Sequence, residues 1–469
     1  MRSAIQIHNV AATVPLTVGI TLFMSDGTPA PLPPITLAAR SDVNVDLASA
    51  VSRAAAALGS HRSDYGSAEL SYTLDSPGHL VASIEVRGEG FGYSEPFYTA
   101  TELESPPHLD PVRARTPTGK SLLAEMQAAV AARNAPKAVT PRLLDAPWRR
   151  LNAADRGWMA LVNTSDAPMS AVWQMSDASG SIPASPTALT LPAHACSLVD
   201  LGGRLAGLHS GGALSGGIQV DFEGAPGALI ATGGIVGAAG QYSNDIRFAQ
   251  RPRALAAPAS TVEISATGLR TGPAPAFFGL AAGAQLRPYL VLRNASDAAL
   301  SVTLAAFVQR AEAPPLALPA QSIQIAPGTL TSAEFRLPTS AAPELVSFAA
   351  TFHGHRGDLE ILAGSETQDG TAAFQAEVQG IGPFLKFDLP YWSILDGSKT
   401  TFTFWNPTAA GEGLLVRFDG AAAEGTYYLP LSLGPNEARQ IDVAALAASN
   451  PVDRDGTPFP PAGLGSAGV

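Results

Sequence analysis

The sequence has few of the residues that covalent cross-linking or a membrane span requires. Cys196 is the only cysteine among the 469 residues, which excludes an intrachain disulfide. No apolar run reaches the roughly 18 residues that a membrane span needs, and the first residues lack the apolar core of a signal peptide. Charged residues make up 15% of the chain, and the net charge is −11. An acidic chain is a poor partner for nucleic acid.

Catalytic motifs are also missing from the sequence. There is no Gly-x-Ser-x-Gly elbow and no His-Glu-x-x-His pair. Gly119-Lys120-Ser121 resembles the end of a phosphate-binding loop, but that motif needs a glycine where the chain has Ala114. No pair of carboxylates stands out, so a hydrolase is the least favoured function class. We therefore expect a protein without enzymatic activity or cofactors.

The composition favours a β-rich protein of several domains. The chain contains 45 glycines and 39 prolines, and 46% of its residues are apolar. Frequent glycine and proline between short apolar runs is typical of sandwiches or barrels with many turns. A length of 469 residues suits three or four domains of about 100–150 residues each.

An internal repeat predicts four related modules. The segment Leu189–Leu201 recurs as Ile35–Leu47, as Leu431–Val443 and, in a weaker form, as Ile323–Leu337. Each copy follows an asparagine that ends an apolar-alternating run, at an interval of 37, 37 or 36 residues between asparagine and aspartate in the three stronger copies. The paired residues are Asn9 and Asp46, Asn163 and Asp200, Asn406 and Asp442, and, at the weaker copy, Asn294 and Arg336. A constant spacing of this kind indicates a repeated structural unit.

These recurrent polar residues have structural and functional interpretations. The aspartates are interpreted as N-caps of short helices rather than as a converging functional set. The asparagines are interpreted as turn residues. Asn163 and Asn294 also match the glycosylation pattern, which matters only in a eukaryotic secretory host.

The predicted fold is all-β, with tandem antiparallel sandwich modules of the immunoglobulin or jelly-roll kind and an incomplete last module. A helix at 121–134 is interpreted as part of a linker, with docking to a partner as the alternative. We expect these modules to form an elongated rod. The predicted units are module 1 at 1–100, a proline-rich linker at 101–158, module 2 at 159–252, module 3 at 261–380 and a truncated module 4 at 381–469.

Candidate binding residues are concentrated in the last module. Trp392, Trp405 and Tyr428 are proposed as a platform for stacking sugar rings, and burial in the core is the favoured alternative. Asp453 and Asp455 offer oxygens at alternate positions for a cation, and a plain acidic turn is the favoured alternative.

Three further segments have a chemical interpretation that we consider less favoured than a structural one. His353-Gly354-His355 is interpreted as a turn rather than half of a metal site. Arg356-Gly357-Asp358 matches the cell-adhesion tripeptide, but three common turn residues match by chance. Cys196 is interpreted as a buried, inert thiol.

Several turn and strand-end motifs resemble those of one group of bacterial proteins. They are Pro390-Tyr391-Trp392-Ser393, Asn406-Pro407, Gly425-Thr426-Tyr427 and Asp453-Arg454-Asp455-Gly456. The group consists of exported-type proteins of unassigned function, built from tandem β-sandwich modules. The resemblance implies a secreted or cell-surface location, although no signal peptide is present, and it brings no catalytic residues.

Two function classes follow from these observations. The first is a non-catalytic extracytoplasmic scaffold, spacer or adhesion protein. The alternative is a set of carbohydrate-binding accessory modules of a larger exported protein or enzyme. The partner classes implied are a polysaccharide or a surface protein, and the sequence predicts no oligomeric state.

Overall fold

The computed structural model of the chain is all-β, as predicted. In the part of the chain that the structure describes, the sheets are antiparallel and none closes into a barrel. Within the described residues there are three short helices. The structure describes residues 2–11, 13–61, 63–72, 80–88, 91–97, 140–182, 184–209, 214–238, 240, 242–252, 259–275, 280–281, 283–310, 313–335, 337, 342–376, 378–380, 388–395, 400–420, 426–460 and 463–469.

The first module is a sandwich of two sheets. Its elements are β1 (Arg2–Asn9), β2 (Leu16–Met24), β3 (Pro29–Pro31), β4 (Ile35–Leu37), β5 (Asp42–Asp46), α1 (Leu47–Leu58), β6 (Gly66–Tyr72), β7 (Leu80–Gly88) and β8 (Phe91–Pro96). One sheet has the order β5-β1-β7-β8, and in the other β2 pairs with β3, β4 and β6. Ile5, Ile7 and Val18 are fully buried between the sheets. Their alternation along the strands places them on one face.

The second module repeats this arrangement and adds strands at one edge. Its elements are β9 (Thr140–Arg149), β10 (Arg156–Asn163), β11 (Met169–Asp177), β12 (Thr187–Leu191), β13 (Cys196–Asp200), α2 (Gly202–His209), β14 (Ser215–Gly224), β15 (Leu229–Val236), β16 (Ser243–Arg247) and β17 (Ala249–Pro252). The sheets have the orders β13-β10-β15-β16 and β12-β11-β14-β9-β17. Because β9 pairs with β14 along its whole length, the predicted linker at 101–158 extends too far into this module. The predicted helix at 121–134 lies outside the described residues.

The third module has the same two-layer core. Its strands are β18 (Ser260–Pro273), β19 (Gln285–Asn294), β20 (Leu300–Gln309), β21 (Leu316–Ala317), β22 (Gln321–Ile325), β23 (Leu330–Ala333), β24 (Glu344–Gly354), β25 (Leu359–Thr367), β26 (Ala373–Ala376) and β27 (Val378–Gly380). β18 joins the two layers because it pairs with β24 and, at Gly272 and Pro273, with β19. A register shift between Ala266 and Leu269 bends this strand.

Among the described residues, the fourth module contains fewer strands than the second. Its elements are β28 (Asp388–Ser393), β29 (Thr401–Trp405), β30 (Glu412–Gly420), β31 (Thr426–Leu433), β32 (Ala438–Asp442), α3 (Val443–Ala448) and β33 (Leu464–Gly468). One sheet has the order β28-β33-β30-β31, and the other, within the described residues, consists of β29 and β32. The sequence predicts that this module lacks its final hairpin. The structure contains the first strand of that hairpin, since β33 pairs with β30 as β14 pairs with β11.

A left-handed residue marks the same turn in every module. Arg40, His194 and Asn436 have φ values of 55°, 57° and 55°, and Gly328 has 69°. Side chains other than glycine seldom adopt this conformation. Its recurrence six residues before Asp46, Asp200 and Asp442 shows that the repeat in the sequence is a repeat in backbone shape.

The recurrent asparagines and aspartates have the structural roles predicted for them. The Asn163 side-chain amide donates to the carbonyls of Ala167 (2.8 Å) and Pro192 (2.8 Å), so it ties two turns together. Asn9, Asn294 and Asn406 make corresponding bonds. The aspartates Asp46, Asp200 and Asp442 accept hydrogen bonds from backbone N–H groups at the start of α1, α2 and α3. Asn163 and Asn294 are fully buried, so neither presents its amide for glycosylation.

Each module contacts the next, and the fourth contacts the first. β6 contacts β13, β9 contacts β25, β18 contacts β29, and β28 contacts both β1 and β7. In each of these contacts, one module packs against its neighbour's sheet that contains the strand ending in the recurrent asparagine. The contact is made either by that strand or by a strand paired with it. The expectation of an elongated rod is therefore wrong, because a rod would separate the first and fourth modules. The modules form a closed ring.

Candidate functional site: the contacts and cleft between modules

The three aromatic residues proposed for sugar stacking lie in different environments. Trp392 has an exposure of 0%, and its ring packs edge-on against Phe418 with centroids 6.1 Å apart. Its indole N–H donates to the carbonyl of Ser466 at 2.9 Å. A ring with neither face exposed offers no surface on which a sugar could stack.

Trp405 and Tyr428 take part in contacts between modules. The Trp405 ring lies 6.0 Å, centroid to centroid, from Phe307 of the third module. The Tyr428 hydroxyl accepts a hydrogen bond of 3.2 Å from the Arg40 guanidinium of the first module. The structure therefore does not bring Trp392, Trp405 and Tyr428 onto one face.

The Asp453 carboxylate is held by its own turn. It accepts hydrogen bonds from the backbone N–H groups of Thr457 (2.8 Å), Asp455 (2.9 Å) and Tyr428 (3.3 Å). Desolvation acts to raise the pKa of Asp453, but these donors outweigh it and lower the pKa. Asp455 is exposed. In the described part of the chain, no group of three or more histidine, cysteine, aspartate or glutamate side chains could hold a metal ion.

The Arg356-Gly357-Asp358 tripeptide forms the turn between β24 and β25. Gly357 has a φ of 88°, and the Asp358 carboxylate accepts a hydrogen bond from the backbone N–H of His355 at 2.7 Å. The same position in the second module is occupied by the turn between β14 and β15. The tripeptide is thus a repeated hairpin turn, in line with the turn interpretation.

Cys196 is buried, with an exposure of 5%. Burial raises the pKa of its thiol to about 11. A thiol that stays protonated at neutral pH is a poor nucleophile, which agrees with the inert interpretation.

A buried charge cluster lies between the second and third modules. Arg293 on β19 is 2.6 Å from Glu360 on β25 and 3.4 Å from Asp145 on β9. Arg251 on β17 is 3.3 Å from the other oxygen of Asp145. The four residues are between 1% and 9% exposed. Two positive and two negative groups balance one another where water is excluded, as buried charges require.

The electrostatics of this cluster follow from burial and pairing. Burial raises the pKa of Glu360, with Asp145 adding to the effect and Arg293 opposing it. Burial acts to lower the pKa of Arg293, but Glu360 and Asp145 more than offset this and raise it. The members of the cluster make their ion pairs with one another across the contact between the two modules.

A second buried polar contact joins the first and fourth modules. His8 on β1 is fully buried, with Nε2 3.0 Å from the Ser466 hydroxyl and 3.9 Å from Asp419. Arg417 pairs with Asp419 at 2.7 Å. Desolvation, with a contribution from Asp419, raises the pKa of the neighbouring Asp42 to about 6.

A cleft lies between the third and fourth modules. It has a volume of about 810 Å³ and is lined by Arg270, Pro275, Gln309, Arg310, Ala313, Pro314, Pro315, Pro343, Leu345, Glu437, Ala438, Arg439 and Gln440. Arg270 donates to the Gln440 side chain, and burial lowers the pKa of Arg270 to about 10. Arg310 lies 3.4 Å from Glu344, and Arg439 lies 2.6 Å from Glu437.

The cleft carries positive charge in an otherwise acidic protein. Three arginines and Glu437 line it, and Glu344 pairs with Arg310, so the arginines outnumber the carboxylates there, while the whole chain has a net charge of −11. Arginine matches carboxylates geometrically through paired N–H donors. The arrangement could bind an extended ligand that carries acidic groups.

Sequence reasoning did not identify the residues that join the modules. His8, Arg293 and Trp405 each directly precede a recurrent asparagine. In a strand this places them on the face opposite the core, where a solvent-facing residue would be expected. The sequence signal that could have identified them is a large or charged residue at the same outward-facing position in three of the four repeats.

Comparisons with known proteins provide no family and no relative. No protein-family model matches the chain, and no curated protein matches it significantly. None of the helices in the described ranges is long and apolar enough to cross a membrane.

Proposed function

We propose that the protein is a non-catalytic extracytoplasmic scaffold whose four modules hold one fixed arrangement. The observation that carries the proposal is the contact between the first and fourth modules at His8, Ser466 and Asp419. A ring of contacts restrains every module on two sides. A ring of this kind keeps the surface loops of the modules at fixed distances from one another. This property suits a scaffold better than a flexible spacer.

The charged residues between modules support the same proposal. Asp145, Arg251, Arg293 and Glu360 pair with one another across a module contact. Separating the two modules would leave such buried charges without their partners, which is strongly unfavourable. The extracytoplasmic location is proposed from the resemblance of the turn motifs to those of exported-type proteins. Fractionation and protease accessibility of the tagged protein in its source cells would test it, and a protein protected by the inner membrane would contradict it.

Small-angle X-ray scattering tests the ring directly. A compact arrangement of this length has a radius of gyration of about 25 Å, whereas four modules placed end to end give roughly 40 Å. We expect the lower value for the wild-type protein. A value near that of the end-to-end arrangement would overturn the proposal.

Matched variants make the scattering experiment specific. His8→Asp places a carboxylate beside Asp419, and like charges repel in a buried site. We expect this variant to open the ring and increase the radius of gyration. His61→Asp makes the same exchange at an exposed residue that pairs with Asp26 and should leave the radius unchanged.

The cleft favours a second candidate function, the binding of an acidic polysaccharide. Its arginines supply charge complementarity for uronic-acid carboxylates, and its four prolines supply apolar surface. This version of the carbohydrate-binding alternative rests on Arg270, Arg310 and Arg439 rather than on the aromatic residues.

Affinity electrophoresis with polygalacturonate and neutral dextran tests this candidate. We expect retardation by polygalacturonate alone, weakened by added salt. Arg439→Gln and Arg310→Gln should reduce the retardation, while Arg53→Gln, an exposed arginine of α1, should not. Equal retardation of all variants would contradict a site in the cleft.

A further inference from the structure

Two of the arginines that line the cleft between the third and fourth modules are held by buried groups. Arg270 is 5% exposed and donates to the neutral side-chain amide oxygen of Gln440. The Nε atom of Arg310 is 3.4 Å from Glu344, a residue that is also 5% exposed. A carboxylate buried to this extent requires its cation. Arg310 is therefore committed to Glu344, and Arg270 to its place in the wall of the cleft.

A third arginine of the cleft, Arg439, makes an ion pair that water and ligands can reach. Its guanidinium is 2.6 Å from Glu437, and the two side chains are 46% and 23% exposed. Ion pairs that are exposed to water contribute little to stability. Another carboxylate can therefore replace Glu437 on Arg439 at low cost.

Glu437 has a second donor that does not depend on Arg439. Its Oε2 atom accepts a hydrogen bond of 2.6 Å from the backbone N–H of Gly434, while its Oε1 atom accepts from Arg439. The Gly434 N–H is the main cause of the lowered pKa of Glu437, with Arg439 adding to the effect and desolvation opposing it. Glu437 therefore stays charged and hydrogen-bonded when Arg439 leaves it.

The repeated turn does not need an acidic residue at this position. In all four modules the backbone carbonyl of the residue after the left-handed one accepts a bond of 2.9–3.0 Å from the N–H of the recurrent asparagine. That residue is Glu437 in the fourth module, and in the others it is Ser41, Ala195 and Thr329. The position of Arg439 is held there by Val43, Ser197 and Thr331. The charged pair is thus particular to the module that borders the cleft.

Glu437 presents to Arg439 the same chemical group that an acidic polysaccharide would present. A guanidinium binds the carboxylate of a glutamate or of a uronic acid through the same N–H donors. Glu437 and Arg439 both line the cleft. A ligand carboxylate that reaches Arg439 therefore competes with Glu437.

We propose that Glu437 is a built-in competitor, which occupies Arg439 in the free protein and is displaced when a carboxylate ligand binds. This inference rests on the proposed binding of an acidic polysaccharide and identifies a residue that limits its affinity. The displacement exchanges one ion pair for another. Glu437 retains the Gly434 N–H, and Arg310 retains Glu344.

The variant Glu437→Gln tests the proposal with polygalacturonate as the probe. Glutamine keeps an oxygen that can accept from the Gly434 N–H, but it lacks the charge that holds Arg439. We expect the variant to bind polygalacturonate about two- to fivefold more tightly than the wild type, because a weak competing ion pair is removed. Isothermal titration calorimetry measures the affinity. Glu412→Gln, at an exposed glutamate of β30, should bind like the wild type.

A double-mutant cycle distinguishes competition for Arg439 from a general loss of negative charge. Glu437→Gln is measured in the wild-type background and together with Arg439→Gln. If Glu437 acts by occupying Arg439, its replacement should change the affinity little once Arg439 is absent. An equal gain in both backgrounds would overturn the proposal.

Failure of this inference differs from failure of polysaccharide binding itself. A wild-type protein that binds polygalacturonate, with a Glu437→Gln variant that binds no more tightly, would contradict the competitor and leave the cleft as a binding site. Absence of binding by both proteins would contradict the competitor and the site together. Circular dichroism checks that each variant keeps the fold of the wild type.

Discussion

The Nε2 atom of His8 lies 3.0 Å from the Ser466 hydroxyl, although the two residues are 458 positions apart along the chain. His8 and Ser466 are both fully buried. The contact joins the first strand of the first module to the last strand of the fourth. A polar pair buried at this point makes the relative placement of the two modules specific, because polar groups without partners are costly to bury.

Acidity should modulate the contact between the first and fourth modules through Asp42. Desolvation raises the pKa of Asp42 to about 6, and Asp419 adds to the shift, with His8 and Arg417 as the other charged or titratable neighbours. A raised pKa in the folded state means that the neutral form is favoured there. The neutral Asp42 carboxyl therefore stabilises the folded protein below pH 3.8, the ordinary pKa of aspartate. This stabilisation is lost as pH rises through about 6.

The variant Asp42→Asn should remove this pH dependence. Above pH 6 we expect it to be more stable than the wild type by about 1 kcal/mol, after allowance for solvent screening at a partly exposed group. Near pH 4 the two proteins should be alike. Calorimetric unfolding at both pH values measures the difference, and Asp64→Asn, an exposed carboxyl of the same module, is the control. A constant difference between the two pH values would contradict the prediction.

Asn163, whose side chain connects two turns, should contribute more to the free energy of unfolding than a surface hydrogen bond does. Asn163→Ala leaves the carbonyls of Ala167, Leu191 and Pro192 without their amide donor. Buried acceptors without partners are costly, and we expect a loss of about 3 kcal/mol. Urea unfolding followed by tryptophan fluorescence measures it, since Trp148 and Trp173 are buried in the same module.

The control for this experiment is another asparagine of the second module. Asn152→Ala removes one exposed bond of 3.4 Å to Gly370 and should cost less than about 0.5 kcal/mol. Equal losses for the two alanine variants would show that the buried amide has no special role.

In the charge cluster between the second and third modules, replacing both members of an ion pair should destabilise the protein less than replacing one member alone. Arg293→Met leaves Glu360 buried without its cation, while Asp145 keeps Arg251, with an expected loss of about 3–5 kcal/mol. Adding Glu360→Leu removes the unpaired charge and should recover most of that loss. Calorimetry of the double-mutant cycle measures the coupling between the two sites.

A surface ion pair provides the comparison for the buried cluster. Arg439→Met breaks the partly exposed pair with Glu437 and should cost less than about 1 kcal/mol. Additive effects of Arg293→Met and Glu360→Leu would contradict direct coupling.

The two tryptophans of the fourth module should respond differently to truncation. Trp392→Ala creates a cavity among Phe418 and Phe459, and we expect a loss of about 3–5 kcal/mol. Trp405→Ala removes a ring that touches Phe307 at the module contact, so the loss should be smaller. Urea unfolding measures both.

Polysaccharide affinity electrophoresis of the same variants addresses the sugar-stacking hypothesis. We expect folded Trp405→Ala to migrate like the wild type, because its indole is engaged by Asn436 and Phe307. A folded Trp405→Ala protein that lost retention would instead support a sugar site at this ring.

The local parts of the structure could be predicted from the sequence. Alternating apolar residues predicted the strands, since a strand with one buried face has a period of two. The spacing of the asparagines and aspartates predicted the repeat, and both residue types predicted their own hydrogen bonds because those bonds are made within a few residues or to an adjacent turn. The turn interpretations of Asp453 and Arg356-Gly357-Asp358 also depend mainly on residues that are close together in the sequence.

The candidate site could be predicted much less well. Trp392, Trp405 and Tyr428 are alike as large aromatics near one another in the sequence, yet one lies in the core and two lie at contacts with different modules. Residue type predicts that an aromatic side chain will be covered. It does not indicate which surface covers it, because that surface belongs to a distant part of the chain.

The sequence by itself determined the repeated features of this protein: strands with one buried face, together with an asparagine tie and an aspartate cap that recur 36 or 37 residues apart. The tertiary structure alone decided how the units are arranged. The contacts of His8 with Ser466, of Arg293 with Asp145 and of Trp405 with Phe307 join residues about 100 to 460 positions apart. Such pairs leave no periodic pattern in the sequence, because they depend on the complementarity of two completed surfaces rather than on local backbone geometry.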